Sequence, residues 1–181
     1  MKSTLFFETH SSSVDNETGI ASGILDPPLS ETGRKQAQNL GQRYKDKKIS
    51  ALYCSDLQRA YITASIAFGY LNIPIIQDPC LREWNYGNFN GSLASEVELL
   101  KPSHIEQPFP NGESLLDAIQ RVSNCLQTID KGNIVLIGHR VVYYALEHLF
   151  KKRSLKELVI TPWHWQPGWV YEQINLEQYF P

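Results

Sequence analysis

The chain has 181 residues, with 17 lysines and arginines against 19 aspartates and glutamates, which gives a formal net charge of −2. Apolar residues make up 42% of the chain and charged residues 20%, a composition that predicts a folded protein with a sizeable core and excludes an intrinsically disordered one. The length predicts a single domain over residues 1–181. Nearly balanced charge excludes the general basic surface with which nucleic-acid-binding proteins displace counterions, so we expect no nucleic-acid partner.

The apolar run at the amino terminus covers only residues 4–7, because the charged Glu8 follows it. We therefore expect no secretion signal, and no apolar run approaches the roughly 20 residues that span a bilayer. The three cysteines are widely spaced and have no histidine at ligand spacing, which predicts no metal site. These features predict a cytoplasmic protein that needs no cofactor and has no membrane partner.

Short apolar runs alternate with segments of helical period along the chain. In chain order, the pattern predicts a strand at 4–7, a helix that begins after Ser30, a strand at 50–53, a helix capped by Ser55 or Asp56, a strand at 74–76, a short helix at 93–100 within a loop-rich excursion over 78–112, a helix at 113–129, a strand at 133–137, a buried helix at 139–150 and a strand at 169–174. This alternation predicts an α/β fold around a mainly parallel sheet.

Two histidines follow predicted strands directly. His10 comes after the strand at 4–7, and His139 comes after the strand at 133–137. Ligands of open α/β sheets bind beyond the carboxyl ends of the strands. We therefore expect both histidines to belong to one site.

Five sequence fragments around these histidines stand in a distinctive order. They are His10 with Asn16 six residues later, Pro-Leu-Ser-x-x-Gly at 28–33, Ser-x-Leu-x-Arg-Ala at 55–60, Leu-x-Glu at 81–83 and Pro-x-Gly-Glu-Ser at 110–114. This order resembles the histidine phosphatase superfamily, which includes the cofactor-dependent phosphoglycerate mutases. The resemblance implies a three-layer α/β/α sandwich with a mostly parallel mixed sheet, as in phosphoglycerate mutases.

The resemblance also implies chemical roles for residues of these fragments. His10 would attack phosphorus with a neutral imidazole and form a phosphohistidine. Arg59 would bind phosphate oxygens through its planar guanidinium, and His139 and Asn16 would donate hydrogen bonds to the phosphoryl group. Glu83 would protonate the leaving alkoxide and then activate water.

Two further polar residues, Ser13 and Glu113, each have two possible interpretations. Ser13 could add a hydroxyl group to substrate binding or be an ordinary loop serine. Glu113 could bind substrate or simply favour the positive end of a helix dipole.

The chain departs from the family pattern beside both histidines. Thr9 and Ser11 flank His10 where the family has arginine and glycine, and Arg140 follows His139 where the family has glycine. We interpret this Thr-His-Ser sequence as the mark of a variant branch. Our hypothesis is that Arg140 restores the missing guanidinium from the opposite wall of the site; in the alternative, Arg140 points to solvent.

These assignments predict a metal-independent phosphatase, a histidine acid phosphatase-like phosphoric monoester hydrolase that acts on a small phosphorylated metabolite. Two alternatives remain: a phosphate-binding or regulatory relative with little catalysis, and a phosphoglycerate mutase-type phosphotransferase. The oligomeric state, including a homodimer, stays open.

The aromatic residues of the chain also leave two interpretations. Those of the excursion could face an apolar leaving group or belong to the core: Trp84, Tyr86, Phe89 and Phe109. The tryptophans of the segment 163–169 could pack against the end of the sheet or line the mouth of the site.

Overall fold

The computed structural model of the chain describes residues 3–174. Its strands and helices follow one another as β1 (Ser3–Thr9), α1 (Val14–Thr18), β2 (Ile20–Ala21), α2 (Glu31–Tyr44), β3 (Ala51–Cys54), α3 (Gln58–Phe68), β4 (Ile75–Gln77), β5 (Ser92–Leu93), α4 (Ala94–Leu100), α5 (Leu115–Thr128), β6 (Asn133–Gly138), α6 (Arg140–Lys151), α7 (Leu155–Ile160) and β7 (Trp169–Ile174). Every predicted element is present with its ends shifted by no more than a few residues, whereas α1, β2, β5 and α7 were not predicted.

The main sheet has the strand order β4-β3-β6-β1-β7. The first four strands are parallel, and β7 pairs antiparallel with β1 at the edge. The short strands β2 and β5 form a separate antiparallel pair. The mostly parallel mixed sheet is therefore confirmed.

Alternate side chains of the central strand β6 face two different helical layers. Ile134 and Leu136 lie in one apolar cluster with residues of α5 and α6. Val135 and Ile137 lie in a second cluster with residues of α2 and α3. Because successive side chains of a strand point to opposite faces, burial of all four requires helices on both sides of the sheet. The three-layer α/β/α sandwich is confirmed.

Helix α3 begins later than its sequence signals indicate. Neither Ser55 nor Asp56 caps it; the residue before the first turn is Leu57, which makes no side-chain cap. The carboxylate of Asp26, distant in sequence, instead accepts the N–H of Gln58 at 2.9 Å. The free N–H groups of a helix start can be satisfied by any nearby acceptor, so a local cap pattern could not predict this boundary.

Within residues 3–174 no helix combines the length and the apolar character needed to cross a bilayer.

The start of α2 packs directly on the loop after β1. The backbone N–H of Ser30 donates to the carbonyl oxygen of Ser12 at 3.0 Å. A Cβ atom on Gly33 would lie 2.0 Å from that same oxygen. The glycine of the Pro-Leu-Ser-x-x-Gly pattern is therefore required by this close approach.

Replacing Gly33 with alanine should force the loop and the helix apart. We expect the free energy of unfolding to fall by about 1–3 kcal/mol, the usual cost of inserting a methyl group into a packed contact. Urea unfolding monitored by circular dichroism measures this change. Gln38→Ala, an exposed position of the same helix, is the control and should stay within about 0.5 kcal/mol. Equal stability of both variants would contradict the interpretation.

Candidate active site

The pairing of β1 with β6 brings the two predicted histidines together. Thr9 lies opposite Gly138 in the parallel register, and the N–H of His10 donates to the carbonyl oxygen of Gly138 at 2.9 Å. His10 and His139 therefore leave adjacent strand ends side by side. The centroids of their imidazole rings are 4.9 Å apart.

The hydrogen bonds of His10 define which ring nitrogen is available for reaction. Its Nδ1 atom lies 2.7 Å from the carbonyl oxygen of Ser11, which can only accept, so Nδ1 carries the proton. Its Nε2 atom receives a long contact of 3.4 Å from the Nε–H of Arg59. The lone pair of a neutral imidazole therefore lies on Nε2, as a nucleophile requires.

Burial, partial at His10 and almost complete at His139, keeps both imidazoles neutral. Burial, reinforced by the positive charge of Arg59, lowers the pKa of His10 from 6.5 to about 3. The same two causes hold the pKa of His139 well below 6.5. Both rings consequently present lone pairs rather than charges at neutral pH.

Arg59 lies between the two histidines and is almost completely buried, with 2% of its surface exposed. Its Nη1 and Nη2 atoms donate short hydrogen bonds to the carbonyl oxygens of Leu25 and Gly23, at 2.6 and 2.7 Å. The remaining contacts, to the two imidazoles, are long at 3.4 Å. The short bonds orient the guanidinium plane, and the long ones leave donors that an anion could engage.

His139 offers a second donor at the same place. Its Nδ1 atom faces Nη2 of Arg59, which can only donate, so the proton of the neutral ring lies on Nε2. That Nε2 atom is buried and has no hydrogen-bond partner among the described residues. A buried donor without an acceptor is costly, and an anion in the site would satisfy it.

Glu83 reaches the site at the start of α6. One carboxylate oxygen accepts the N–H groups of Trp84 and Val141, at 2.9 and 3.2 Å, and the other accepts the N–H of Arg140 at 3.2 Å. These bonds hold the carboxylate in the wall of the cavity that His10 and His139 also line.

Glu113 lies away from that wall and positions Glu83 indirectly. Its carboxylate binds the guanidinium of Arg121 at 2.7 Å. Arg121 in turn donates to the carbonyl oxygens of Arg82 and Glu83, at 3.0 and 3.3 Å. The structure therefore adds a third interpretation of Glu113 to the two alternatives drawn from sequence, because Glu113 fixes the backbone that carries Glu83.

Asn16 and Ser13 belong to the first turn of α1. Ser13 is the N-cap residue: its hydroxyl accepts the N–H of Asn16, and the Asn16 side-chain oxygen accepts the Ser13 N–H. Asn16 lines the cavity and Ser13 does not. The side-chain nitrogen of Asn16 is a donor at the cavity that a ligand can engage.

Arg140 lines the cavity instead of pointing to solvent, and 13% of its side chain is exposed. Its Nη1 atom donates to Glu98 at 2.7 Å, and its guanidinium lies 5.2 Å from the ring centre of Trp163. Its guanidinium also lies 5.3 Å from the ring centre of Tyr144 and interacts with the hydroxyl of that residue. Glu98 also binds Lys101 at 2.6 Å, so one carboxylate holds two cations.

These groups surround one cavity of about 1050 Å³. The predicted site residues that line it are His10, Asn16, Arg59, Glu83, His139 and Arg140, whereas Ser13 and Glu113 lie outside its lining. Glu98 and Lys101 also line it and were not predicted. Their spacing of three residues on a helix is typical of a solvent-exposed ion pair and carries no signal of a site.

The aromatic residues divide between core and cavity. Trp84, Tyr86 and Phe109 are buried in the larger apolar cluster and Phe89 packs against it, although Tyr86 also lines the cavity. In the later segment, Trp169 packs on Phe7 with ring centroids 5.6 Å apart. Trp163 and Trp165 line the cavity, so both interpretations of that segment hold.

Comparison with known proteins agrees with this arrangement. The family model described as the histidine phosphatase superfamily (branch 1) matches residues 5–165. The chain belongs to this superfamily.

Individual relatives within the superfamily include phosphatases and mutases. Phosphoserine phosphatase 1 of Hydrogenobacter thermophilus is 32% identical over 154 residues, which cover 78% of this chain and 73% of that protein. The phosphoglycerate mutase of Schizosaccharomyces pombe is 35% identical over 153 residues, covering 74% and 72%. The solved structure of Bacillus stearothermophilus YhfR matches with a TM-score of 0.78 and 30% identity over 93% of this chain and 90% of that one. These relatives indicate an enzyme with phosphoryl-transfer activity.

The partly buried, neutral state of His10 predicts how stability depends on pH. An imidazole in the unfolded chain binds a proton below about pH 6.5, whereas folded His10 stays neutral down to about 3. The unfolded state thus binds more protons in this window, and the free energy of unfolding falls as the pH falls, by up to about 1.4 kcal/mol per pH unit for this one group.

His10→Gln removes this titration. Urea unfolding between about pH 6.5 and about pH 4 should show a shallower loss of stability in the variant than in the parent chain. Circular dichroism at about pH 7 checks that the variant folds. Identical slopes would show that folded His10 binds a proton as readily as an imidazole of the unfolded chain.

Proposed function

We propose that this chain is a metal-independent phosphatase that hydrolyses a small phosphomonoester through a phosphohistidine on His10. One observation carries the proposal: a neutral imidazole with its lone pair on Nε2 lies beside a buried guanidinium, Arg59, and beside the unpartnered donor of His139. Phosphoryl transfer needs an aligned nucleophile and fixed hydrogen-bond donors, because its transition state spreads negative charge over the equatorial oxygens.

In the first step, Nε2 of His10 attacks phosphorus and forms an N–P bond while the ester P–O bond breaks. Arg59 and His139 stabilise the equatorial oxygens, with Asn16 as a further amide donor. Glu83 gives its proton to the leaving alkoxide, which departs as an alcohol.

In the second step, water attacks the phosphohistidine. Glu83, now a carboxylate, takes the proton of the water, the N–P bond breaks, and inorganic phosphate leaves. His10 returns to its neutral form and Glu83 to its protonated form, so the cycle closes without a metal ion.

The nucleophile can be tested directly. Turnover of p-nitrophenyl phosphate should persist in a metal chelator and should disappear in His10→Ala, because no other group replaces the attacking nitrogen. Acid-labile label from a phosphorylated substrate should be trapped on the parent chain and be absent from the variant.

The two remaining outcomes distinguish the alternatives. Phosphate binding without turnover in the parent chain would favour a binding or regulatory relative, for which the threonine at position 9 gives a reason: a guanidinium of the family pattern is absent there. Transfer of the label to a second hydroxyl compound instead of water would favour a mutase-type phosphotransferase.

We further propose that Arg140 supplies the guanidinium that position 9 lacks. Its side chain lines the same cavity, and its residue follows His139 directly. The contact with Glu98 holds the side chain inside the cavity. A substrate phosphoryl group in the cavity would accept hydrogen bonds from this guanidinium.

Arg140→Ala should lower kcat/KM for p-nitrophenyl phosphate about a hundredfold, the effect of removing one donor worth about 3 kcal/mol in the transition state. Arg34→Ala, at an exposed position of α2, is the matched control and should have no effect. Unchanged turnover of the Arg140 variant would reject the replacement and leave the His10 mechanism standing.

A further inference from the structure

The mouth of the active-site cavity is formed by exposed apolar side chains. Leu99, Ile160 and Trp165 all line the cavity, and their exposed fractions are 83%, 59% and 58%. These are the three most exposed large apolar residues among those the structure describes. Single exposed apolar residues are ordinary on a protein surface, but a group that converges on one cavity indicates a binding surface.

Three different parts of the chain contribute to this apolar mouth. Leu99 belongs to α4, Ile160 ends α7, and Trp165 lies in the loop before β7. Trp163 also lines the cavity, and it stacks on Trp169 with ring centroids 5.5 Å apart. The indole of Trp165 has no such ring partner among the described residues, so its faces are available to a ligand.

Two cations near the mouth share one carboxylate. Arg140 and Lys101 both bind the same oxygen of Glu98, at 2.7 and 2.6 Å. A negatively charged leaving group would have to compete with Glu98 for these cations, and a positively charged one would be repelled by them. An uncharged group avoids both costs.

The size of the cavity agrees with a substrate larger than phosphate. Sites for organic ligands of drug-like size occupy roughly 300–1,000 Å³. The cavity of about 1050 Å³ therefore leaves room for an organic body beyond the phosphoryl group held by the histidines.

We propose that the substrate is a phosphomonoester whose leaving group is uncharged and apolar, with a planar ring that packs on Trp165 between Leu99 and Ile160. This inference rests on the proposed phosphatase function. Burial of the ring would remove apolar surface of both partners from water, and this gain would appear in the binding of the leaving group and not in the reaction at phosphorus.

Two primary alkyl esters test the preference: 2-phenylethyl phosphate and glycerol 1-phosphate. Both leaving groups are uncharged, and they differ chiefly in apolar surface. We expect kcat/KM of the parent chain to be at least about tenfold higher for the phenyl ester. Trp165→Ala and Ile160→Ser should bring this ratio towards one, mainly through KM. Tyr70→Ala, which removes an aromatic residue of similar exposure (56%) outside the cavity lining, should leave it unchanged.

The outcomes separate this inference from the proposed function. Equal kcat/KM for the two esters, with turnover that still requires His10, would overturn the apolar preference and leave the phosphatase standing. Absence of His10-dependent turnover of either ester would count against the phosphatase. In that case quenching of tryptophan fluorescence decides the inference: tighter binding of 2-phenylethyl phosphate than of glycerol 1-phosphate supports the apolar site, and equal binding overturns it.

A second copy of the chain could instead cover these apolar residues. Size-exclusion chromatography of the parent chain and of Trp165→Ala tests this alternative. A dimer that dissociates in the variant while the selectivity ratio stays constant would assign the surface to self-association and overturn the inference. A change of the ratio without a change of oligomeric state supports it.

Discussion

The register between β1 and β6 is the constraint on which the site depends. It places Thr9 opposite Gly138, so that the residues that follow, His10 and His139, lie side by side. Strand alternation strengthens this register, because Phe7 faces the α5 and α6 layer while Glu8 faces α2, where Arg43 and Tyr44 bind its carboxylate at 2.8 Å. A slip of one residue would exchange these environments and bury the carboxylate in apolar surroundings.

Burial of a guanidinium between two neutral rings is the main electrostatic cost of this arrangement. Among the described residues the carboxylate of Asp26 forms an ion pair with Arg59 at 3.7 Å, and the charge of Glu83 also acts on it. The short hydrogen bonds of Arg59 go to backbone carbonyl oxygens of the loop before α2. Carbonyl dipoles compensate the charge without neutralising it. Arg59 therefore remains a source of positive potential that depresses proton binding by both histidines and favours an anion beside them.

The sequence predicted the parts of the molecule that follow from local periodicity and short motifs. The alternation of strands with helical segments predicted an α/β fold around a mainly parallel sheet, and the family resemblance implied its three layers. The positions of His10 and His139 after strands predicted that the two histidines share one site. Contacts between distant segments could not be predicted: Asp26 at the start of α3, and the pair of Glu98 with Arg140. Which residues pair in such contacts depends on how the loops fold over the sheet, and no local sequence pattern predicts that.

The groups that we propose to react and the residues of the mouth have different structural supports. His10 and His139 extend from buried strands, and Arg59 from a helix packed on the sheet, so their positions are tied to the stability of the core. Leu99 and Trp165 are exposed on a short helix and a loop, where replacement creates no buried cavity and leaves no buried polar group unpaired. In the mechanism that we propose, the leaving-group preference can consequently change by substitution at the mouth while the proposed phosphate-binding residues keep their geometry.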